Sequence, residues 1–286
     1  MSILSVEKLG VVLQDKVILQ DCSFETEAGK FIGIIGPNGS GKTTFLKAVR
    51  GLIPYTSGRV YLYGQDIAGM KEKAIARKLA YMQQSVEVRF GYTAEEIVMT
   101  ARYPYLKWWQ NEGSSDKELV ERAMRFAGVW HLRKSRINEV SGGERQRIFL
   151  AKALAQETDI LFLDEPTAAL DLVYADEIFR YCRTLCRNGK TIVLVVHDLE
   201  MAAKFCDRLL LFSKGQIIRD GAPDDVLTAD NLAKAFHLSS TVYDDPYFSQ
   251  RRIFIYPNGT ERAESYCRSG KGLPERSSTV ILKEHL

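Results

Sequence analysis

The feature that most restricts the fold is a glycine-rich segment, Gly36-Pro37-Asn38-Gly39-Ser40-Gly41-Lys42-Thr43-Thr44, which fits the pattern G-x-x-x-x-G-K-[ST]. It follows the apolar run 30–35 and precedes the run 44–50, which predict a buried strand and a helix. Because glycine has no Cβ, such a loop can bring its backbone amides close to a polyphosphate, and the following helix N-terminus adds further donors. The order of strand, loop and helix therefore predicts a phosphate-binding loop in an α/β fold.

Two side chains at the end of this loop predict what it binds. Lys42 supplies a positive charge for the β- and γ-phosphates of a nucleotide, and the Thr43 hydroxyl is a hard ligand suited to Mg²⁺. The alternative is an ordinary glycine-rich turn that happens to end in Lys-Thr. The flanking strand and helix favour the phosphate-binding interpretation.

Three later segments place polar residues where predicted strands end. Gln84 follows the apolar run 79–82, Asp164 and Glu165 close the run 159–163, and His197 follows the run 191–196. Ligands of open α/β sheets bind at the carboxyl ends of the strands, so we expect these side chains to lie near the loop.

Nucleotide hydrolysis needs residues of these types. Asp164 and Gln84 suit a magnesium ion held with Thr43, and Gln84 also suits the attacking water. Glu165 suits a general base, and His197 suits a contact with the γ-phosphate. A lone histidine at a strand end is usually structural and a loop glutamine is usually solvated. Their joint occurrence with the glycine-rich loop favours the catalytic interpretation.

Bulk composition restricts the class of protein. The chain has 286 residues, 39 of them basic and 36 acidic, for a net charge of +3. This balance does not favour a nucleic-acid partner. The sequence shows no apolar run of 18 residues and no leader-like start, so we expect neither a membrane span nor a secretory signal.

Two segments between the strands carry helix-start signals. Thr93 with Glu96, and Ser141 with Glu144, both fit a capping box before a helix. The stretch from 93 to about 128 predicts helices interrupted by a loop, with the aromatic pair Trp108-Trp109 within it. These tryptophans are candidates for a partner surface, and the alternative is that they pack on their own helices.

With the motif Ser141-Gly-Gly-Glu-Arg-Gln146 and the segment 169–171 added, the chain resembles the ATP-binding subunit of an ABC transporter over residues 3 to 238. The resemblance makes 36–44 the Walker A motif, Gln84 the Q-loop, 160–165 the Walker B motif and His197 the H-loop. It implies that two copies enclose two ATP molecules head to tail. The nucleotide would then contact Ser141, Gly142, Gly143 and Glu144 of the signature motif and Asp171 of the D-loop.

The resemblance also implies an architecture, and the chain departs from the family pattern at two positions. We expect an α/β P-loop NTPase of the ABC type over 1–238, with a mixed sheet core, an antiparallel β subdomain and an α-helical subdomain at about 85–155. Residues 239–286 have no counterpart and form a C-terminal tail. Within it, 251–256 predicts a strand of a short hairpin, and the polar stretch 261–278 predicts a loosely attached segment. Leu13 takes the place of the usual adenine-stacking aromatic residue, and Val140 that of the leucine before the signature serine.

Similarity further favours one kind of transporter. Without membrane spans, the chain resembles importer ATPases at the cytoplasmic face of the membrane. These dock on separate permease subunits, which work with an extracytoplasmic substrate-binding protein. The stretches 76–84 and 101–106 look most like the group that serves iron siderophores, haem and cobalamin, with zinc and manganese importers next. We expect the permease to dock on residues 84–109. A soluble ABC-type ATPase without a transport role is the alternative from a different class.

Overall fold

The structure is a computed structural model that describes residues 2–83, 91–168, 170–245 and 250–256. Its strands are β1 Leu4–Leu13, β2 Lys16–Thr26, β3 Phe31–Ile35, β4 Ser57–Leu62, β5 Gln65–Asp66, β6 Leu79–Met82, β7 Ile160–Leu163, β8 Thr191–Val195, β9 Arg208–Ser213, β10 Gln216–Gly221, β11 Ser239–Asp245 and β12 Gln250–Tyr256. Its α-helices are α1 Lys42–Arg50, α2 Glu72–Ala76, α3 Ala94–Met99, α4 Ser114–Phe126, α5 Gly142–Ala155, α6 Leu172–Arg187, α7 Leu199–Phe205, α8 Pro223–Val226 and α9 Ala229–Phe236.

A six-stranded sheet in the order β10-β9-β3-β8-β7-β6 forms the centre of the fold. All its neighbouring pairs are parallel except β9 with β10. Strands β3, β7 and β8 are buried along their whole length, as expected for a parallel sheet that is covered on both faces. Their carboxyl ends share one edge of the sheet, which brings the segments after 35, 163 and 195 together.

A second, antiparallel sheet in the order β2-β1-β4-β5 covers one face of the central sheet. One continuous apolar layer joins the two sheets and helix α1, with Phe45 of the helix against Phe212 of β9 at a ring distance of 5.2 Å. Residues Gln14 and Asp15 connect β1 to β2 in a tight turn with positive φ angles of 48° and 61°.

Helices cover the other face of the central sheet and share a second apolar layer. The Thr93 side chain accepts a hydrogen bond from the Glu96 amide, which confirms the capping box that begins α3. A 3₁₀ segment from Thr100 to Tyr105 follows and contains Pro104. Trp108 and Trp109 are 89% and 63% exposed and contact each other edge to face, so the alternative that they pack on their own helices is wrong.

A buried ion pair fixes the 3₁₀ segment against the helices. Arg102 Nε donates to Asp116 Oδ1 at 2.8 Å, and Arg102 Nη1 donates to the Ala155 carbonyl at 3.0 Å. Both residues are 8% exposed. The pair therefore joins the segment after α3 to α4 and to the end of α5.

We expect Asp116→Asn to lower the free energy of unfolding by about 3 kcal/mol, because it leaves a buried guanidinium without its counter-charge. Urea unfolding of the full chain measures this change. Glu157→Gln is the matched control, because the Arg122–Glu157 pair is largely exposed. Its effect should stay below about 0.5 kcal/mol. Equal losses in the two variants would contradict a special contribution of the buried pair.

The segment after α9 is a packed hairpin in the part of it that the structure describes. Strands β11 and β12 pair antiparallel from Ser239↔Tyr256 to Asp245↔Gln250. Val242 and Ile253 pack on the helical apolar layer, and Arg252 Nη1 lies 2.7 Å from Glu200 Oε2 of α7. The tail therefore contains a hairpin that is packed on the domain, and the loosely attached stretch predicted at 261–278 lies outside the described residues.

Candidate functional site

The glycine-rich loop between β3 and α1 requires glycine at two positions. Gly36 has φ 146°, and a Cβ there would lie 2.3 Å from the Phe212 carbonyl oxygen. Gly41, the N-cap of α1, has φ 102°, and its Cβ would lie 2.6 Å from Leu19 Cδ2. An L-side chain at either place would be strained and would collide with a neighbour. The backbone can therefore curl tightly over the start of α1.

Lys42, the first residue of α1, folds back over this loop. Its Nζ donates to the carbonyl oxygens of Gly36 at 2.8 Å and Pro37 at 2.9 Å. Burial lowers the pKa of its ammonium group, and the nearby carboxylates of Glu165 and Asp164 oppose that change. The lysine thus places a positive charge at the centre of the loop.

Asp164, directly after β7, lies next to α1 and is fully buried. Its Oδ1 accepts from the Thr43 hydroxyl at 3.0 Å, and its Oδ2 accepts from the Tyr81 hydroxyl at 3.0 Å. Burial raises the pKa of the Asp164 carboxyl group, and these two hydrogen bonds oppose the rise. Because a hydroxyl and a carboxylate are the hard oxygen ligands that Mg²⁺ prefers, Thr43 and Asp164 fit a magnesium site.

Glu165 and His197 meet beside this cluster. His197 Nε2 lies 2.7 Å from Glu165 Oε1, and the His197 side chain is about half exposed. The backbone of Glu165 has φ 53°, which is uncommon for a residue with a side chain. Its carbonyl oxygen accepts from Gln146 Nε2 at 2.5 Å. The segments after β7 and β8 therefore direct a carboxylate and an imidazole to the same place.

These residues surround an open cavity of about 480 Å³ at the edge of the central sheet. Its lining consists of Ile18, Asn38, Gly39, Ser40, Gly41, Lys42, Thr43, Thr44, Glu165 and His197. The lining is polar except for Ile18 and the glycines. Leu13 does not line the cavity; it ends β1 next to the turn and is 37% exposed. The arrangement can hold an anionic, phosphate-bearing molecule with a carboxylate and an imidazole beside it.

The other predicted site residues lie apart from this cavity. Ser141 is the exposed N-cap of α5 and forms the predicted capping box with Glu144, while Gly142 and Gly143 begin the helix. Hydrogen bonds from the Ser141 amide and hydroxyl hold the pKa of Glu144 below its usual range. Asp171 caps α6 by accepting from the amides of residues 173 and 174. Gln84 lies outside the described residues.

Three residues of the site were not predicted from the sequence. Tyr81 and Gln146 fix Asp164 and Glu165, and Ile18 supplies an apolar contact in the cavity. Tyr81 and Ile18 carried no recognisable signal. Gln146 was part of the signature motif, but its contact with residue 165 depends on tertiary structure.

Comparison with known proteins now identifies the family. The profile of the ABC transporter family matches residues 19–168. The chain belongs to this family. It is 36% identical over 247 residues to the iron(3+)-hydroxamate import ATP-binding protein of Bacillus subtilis (strain 168), covering 86% of this chain and 92% of that protein. It is 35% identical over 249 residues to a probable siderophore transport system ATP-binding protein of the same organism, covering 87% and 90%.

A third relative is the cobalamin import ATP-binding protein of Halobacterium salinarum, 36% identical over 261 residues that cover 91% of this chain and 65% of that protein. Among solved structures, a metal-chelate type ABC transporter in an inward-facing conformation matches with a TM-score of 0.77 and 27% identity, covering 90% of this chain and 98% of the other. The fold is therefore that of the ABC ATPase, and the chain is a nucleotide-binding protein. Among the described residues, no helix combines the length and the apolar character needed to cross a membrane.

Proposed function

We propose that this chain is the ATP-hydrolysing subunit of an ABC importer that takes up iron-siderophore complexes or cobalamin. The single observation that carries the hydrolytic part is the meeting of Lys42, the Thr43–Asp164 pair and the Glu165–His197 pair around one open cavity. The cargo class is supported by relatives whose names state iron(3+)-hydroxamate import, siderophore transport and cobalamin import.

The residues of the cavity have separate tasks in the proposed reaction. The loop amides and Lys42 bind and orient the phosphates. Thr43 and Asp164 would hold Mg²⁺, which supplies positive charge against the phosphate oxygens when it is bound. Glu165 accepts the proton of the attacking water, because among the residues that the structure describes it supplies the carboxylate that lines the cavity. His197, in contact with Glu165, donates a hydrogen bond to the γ-phosphate.

A second copy of the chain would complete the site. The signature residues Ser141, Gly142 and Gly143 stand exposed or half-exposed at the N-terminus of a 14-residue helix and do not line this chain's own cavity. A helix N-terminus with a serine and two glycines suits a phosphate group. In the head-to-tail arrangement, this end of α5 would contact the nucleotide that the other copy holds.

We propose that the chain docks on integral membrane permease subunits. A substrate-binding protein outside the membrane would deliver the cargo to them. The exposed Trp108-Trp109 pair lies in the segment that we propose for permease docking. Family membership and the import functions stated for the relatives support this assignment. The chain would then act at the cytoplasmic face of the membrane as a peripheral subunit.

Uptake in a strain that lacks the gene tests the cargo and the reaction together. We expect loss of uptake of a radiolabelled ferric hydroxamate or of cobalamin, with recovery on complementation by the wild-type chain and none by Glu165→Gln. Manganese is the second candidate cargo, because a manganese transport ATP-binding protein of Halalkalibacterium halodurans is 34% identical over 236 residues. Selective loss of manganese uptake would favour it, and unchanged uptake of all three would contradict the importer assignment.

Tyr81→Phe should weaken binding of Mg·ATP about five- to tenfold, because it removes one of the two hydrogen bonds that orient the Asp164 carboxylate. Calorimetry with ATP in the presence of Mg²⁺ measures this effect, and binding of ATP in EDTA should not change. Tyr63→Phe is the matched control, since its hydroxyl donates to Asp159 at 2.8 Å far from the cavity. Equal Mg·ATP affinity in the two variants would exclude this role of Tyr81.

A further inference from the structure

One side chain joins the signature helix α5 to the turn that carries Glu165. Gln146 lies in the second turn of α5, only 8% exposed, and its Nε2 donates to the Glu165 carbonyl oxygen at 2.5 Å. The same carbonyl oxygen also accepts from the Ala168 amide at 3.3 Å. The carbonyl of Glu165 is thus held from two sides, by the turn itself and by a residue 19 positions earlier in the chain.

This contact acts on a backbone conformation that needs support. Glu165 has φ 53°, in the left-handed region that residues with a Cβ rarely adopt. Such conformations persist where the surroundings over-determine them, and they occur often at active sites. If this carbonyl were released, φ and ψ of Glu165 could relax together toward the common negative-φ regions, and the change in φ would turn the Cα–Cβ bond relative to β7.

The direction of the Glu165 side chain matters for its proposed task. In this conformation Oε1 lies 2.7 Å from His197 Nε2, and the carboxylate lines the cavity beside Thr43 and Lys42. A general base must lie within hydrogen-bonding reach of the water that it activates. A displacement of about 1 Å in such a group can cost about a hundredfold in rate.

We propose that Gln146 is a positioning residue for hydrolysis: its amide holds the left-handed backbone of Glu165 and so aims the carboxylate into the cavity. The inference rests on the proposed role of Glu165 and extends it. It also gives α5 a second task, because the signature residues 141–143 at its start and Gln146 one turn later belong to one rigid element. The helix end that would meet the second copy's nucleotide is thereby tied to the base of this chain's own site.

The test compares two glutamines of the same helix region. Gln146→Met keeps the length of the side chain but removes the donor. Gln156→Met is the matched control, because Gln156 caps the other end of α5 and its Nε2 donates to the Ala76 carbonyl oxygen in the same way, away from the cavity. We expect Gln146→Met to lower kcat for Mg·ATP at least about tenfold while KM changes less than about twofold. Gln156→Met should leave both constants near the wild-type values.

Further variants separate positioning from folding. Gln146→Lys retains a donor of similar reach, so we expect a kcat above that of Gln146→Met at equal thermal stability. A kcat within about twofold of wild type in folded Gln146→Met would overturn the proposal, as would equal losses of kcat in Gln146→Met and Gln156→Met. If Gln146→Met does not fold, the Gln146→Lys variant provides the test. A folded Gln146→Lys protein whose KM is above the wild-type value while its kcat is unchanged overturns the proposal. Absence of hydrolysis by the wild-type chain with its permease would instead refute the proposed function.

Discussion

Lys42→Ala should abolish most of the affinity for ATP, with a loss of about a hundredfold. Lys42 is 5% exposed, and its ammonium group donates to the Gly36 and Pro37 carbonyl oxygens at the centre of the loop. Charge-assisted hydrogen bonds to such a group contribute about 1.5–3 kcal/mol each to binding, so that one lost contact accounts for an effect of this size. Calorimetric titration of the full chain with Mg·ATP measures the change.

The control for this prediction is Lys30→Ala. Lys30 is exposed and precedes β3, at the end opposite to the loop. Lys30→Ala removes the same charge from the chain as Lys42→Ala does, so a general electrostatic effect on the binding of an anion would appear in both variants. An unchanged affinity of Lys42→Ala, or an equal loss in Lys30→Ala, would contradict the assignment of the loop as the phosphate site.

Local signals in the sequence were sufficient for the elements that carry the site. The capping residues Thr93 and Ser141 each form the hydrogen bonds that their spacing predicts, because a capping box involves only residues three positions apart. The apolar runs before Gly36 and Asp164 form buried central strands. This signal is local too, because burial on both faces leaves a continuous apolar pattern in the sequence. Helix α1 begins at Lys42, two residues earlier than the apolar pattern indicates, because Gly41 caps it.

The contacts that refine the site depend on the order of strands, which the sequence does not contain. Tyr81 reaches Asp164 because β6 is the parallel neighbour of β7, although 83 positions separate the two residues. Neither the apolar pattern of β6 nor its propensity distinguishes this neighbour from another strand. Gln146 likewise reaches Glu165 only because α5 packs beside the end of β7. Such positioning residues become recognisable once the sheet is assembled.

The strand Ser239–Asp245 and its packing on the domain were not predicted from the sequence, for a related reason. The hairpin's inward side chains include Val242 and Ile253, while Phe254 and Ile255 are more than half exposed, so the strands carry no clean apolar alternation. Ion pairs supply part of the attachment, with Arg251 near Asp224 at 3.0 Å and Arg252 near Glu200. Contacts between side chains so distant in the sequence leave no local pattern. A polar, irregular composition therefore does not exclude docking on the domain.

Glu165→Gln should lower kcat about a thousandfold while ATP remains bound. The substitution keeps the size of the side chain but removes the group that would accept the proton of the attacking water, and general bases contribute about a hundred- to ten-thousandfold to rate. It also removes a negative charge from a cavity that would hold phosphates, so ATP affinity should stay equal or rise. Phosphate release by the full chain measures kcat.

The same variant tests the proposed dimer, because a slow site should retain the nucleotide that two copies enclose. Light scattering after gel filtration should show one copy of the 32.3 kDa chain without nucleotide and two copies with Mg·ATP. Glu118→Gln, at an exposed position of α4, is the control and should hydrolyse ATP at the wild-type rate. Hydrolysis by Glu165→Gln near that rate would remove Glu165 from the role of base. Loss of hydrolysis without dimer formation would keep the base but contradict the head-to-tail site, since the exposed start of α5 would then have no nucleotide to contact.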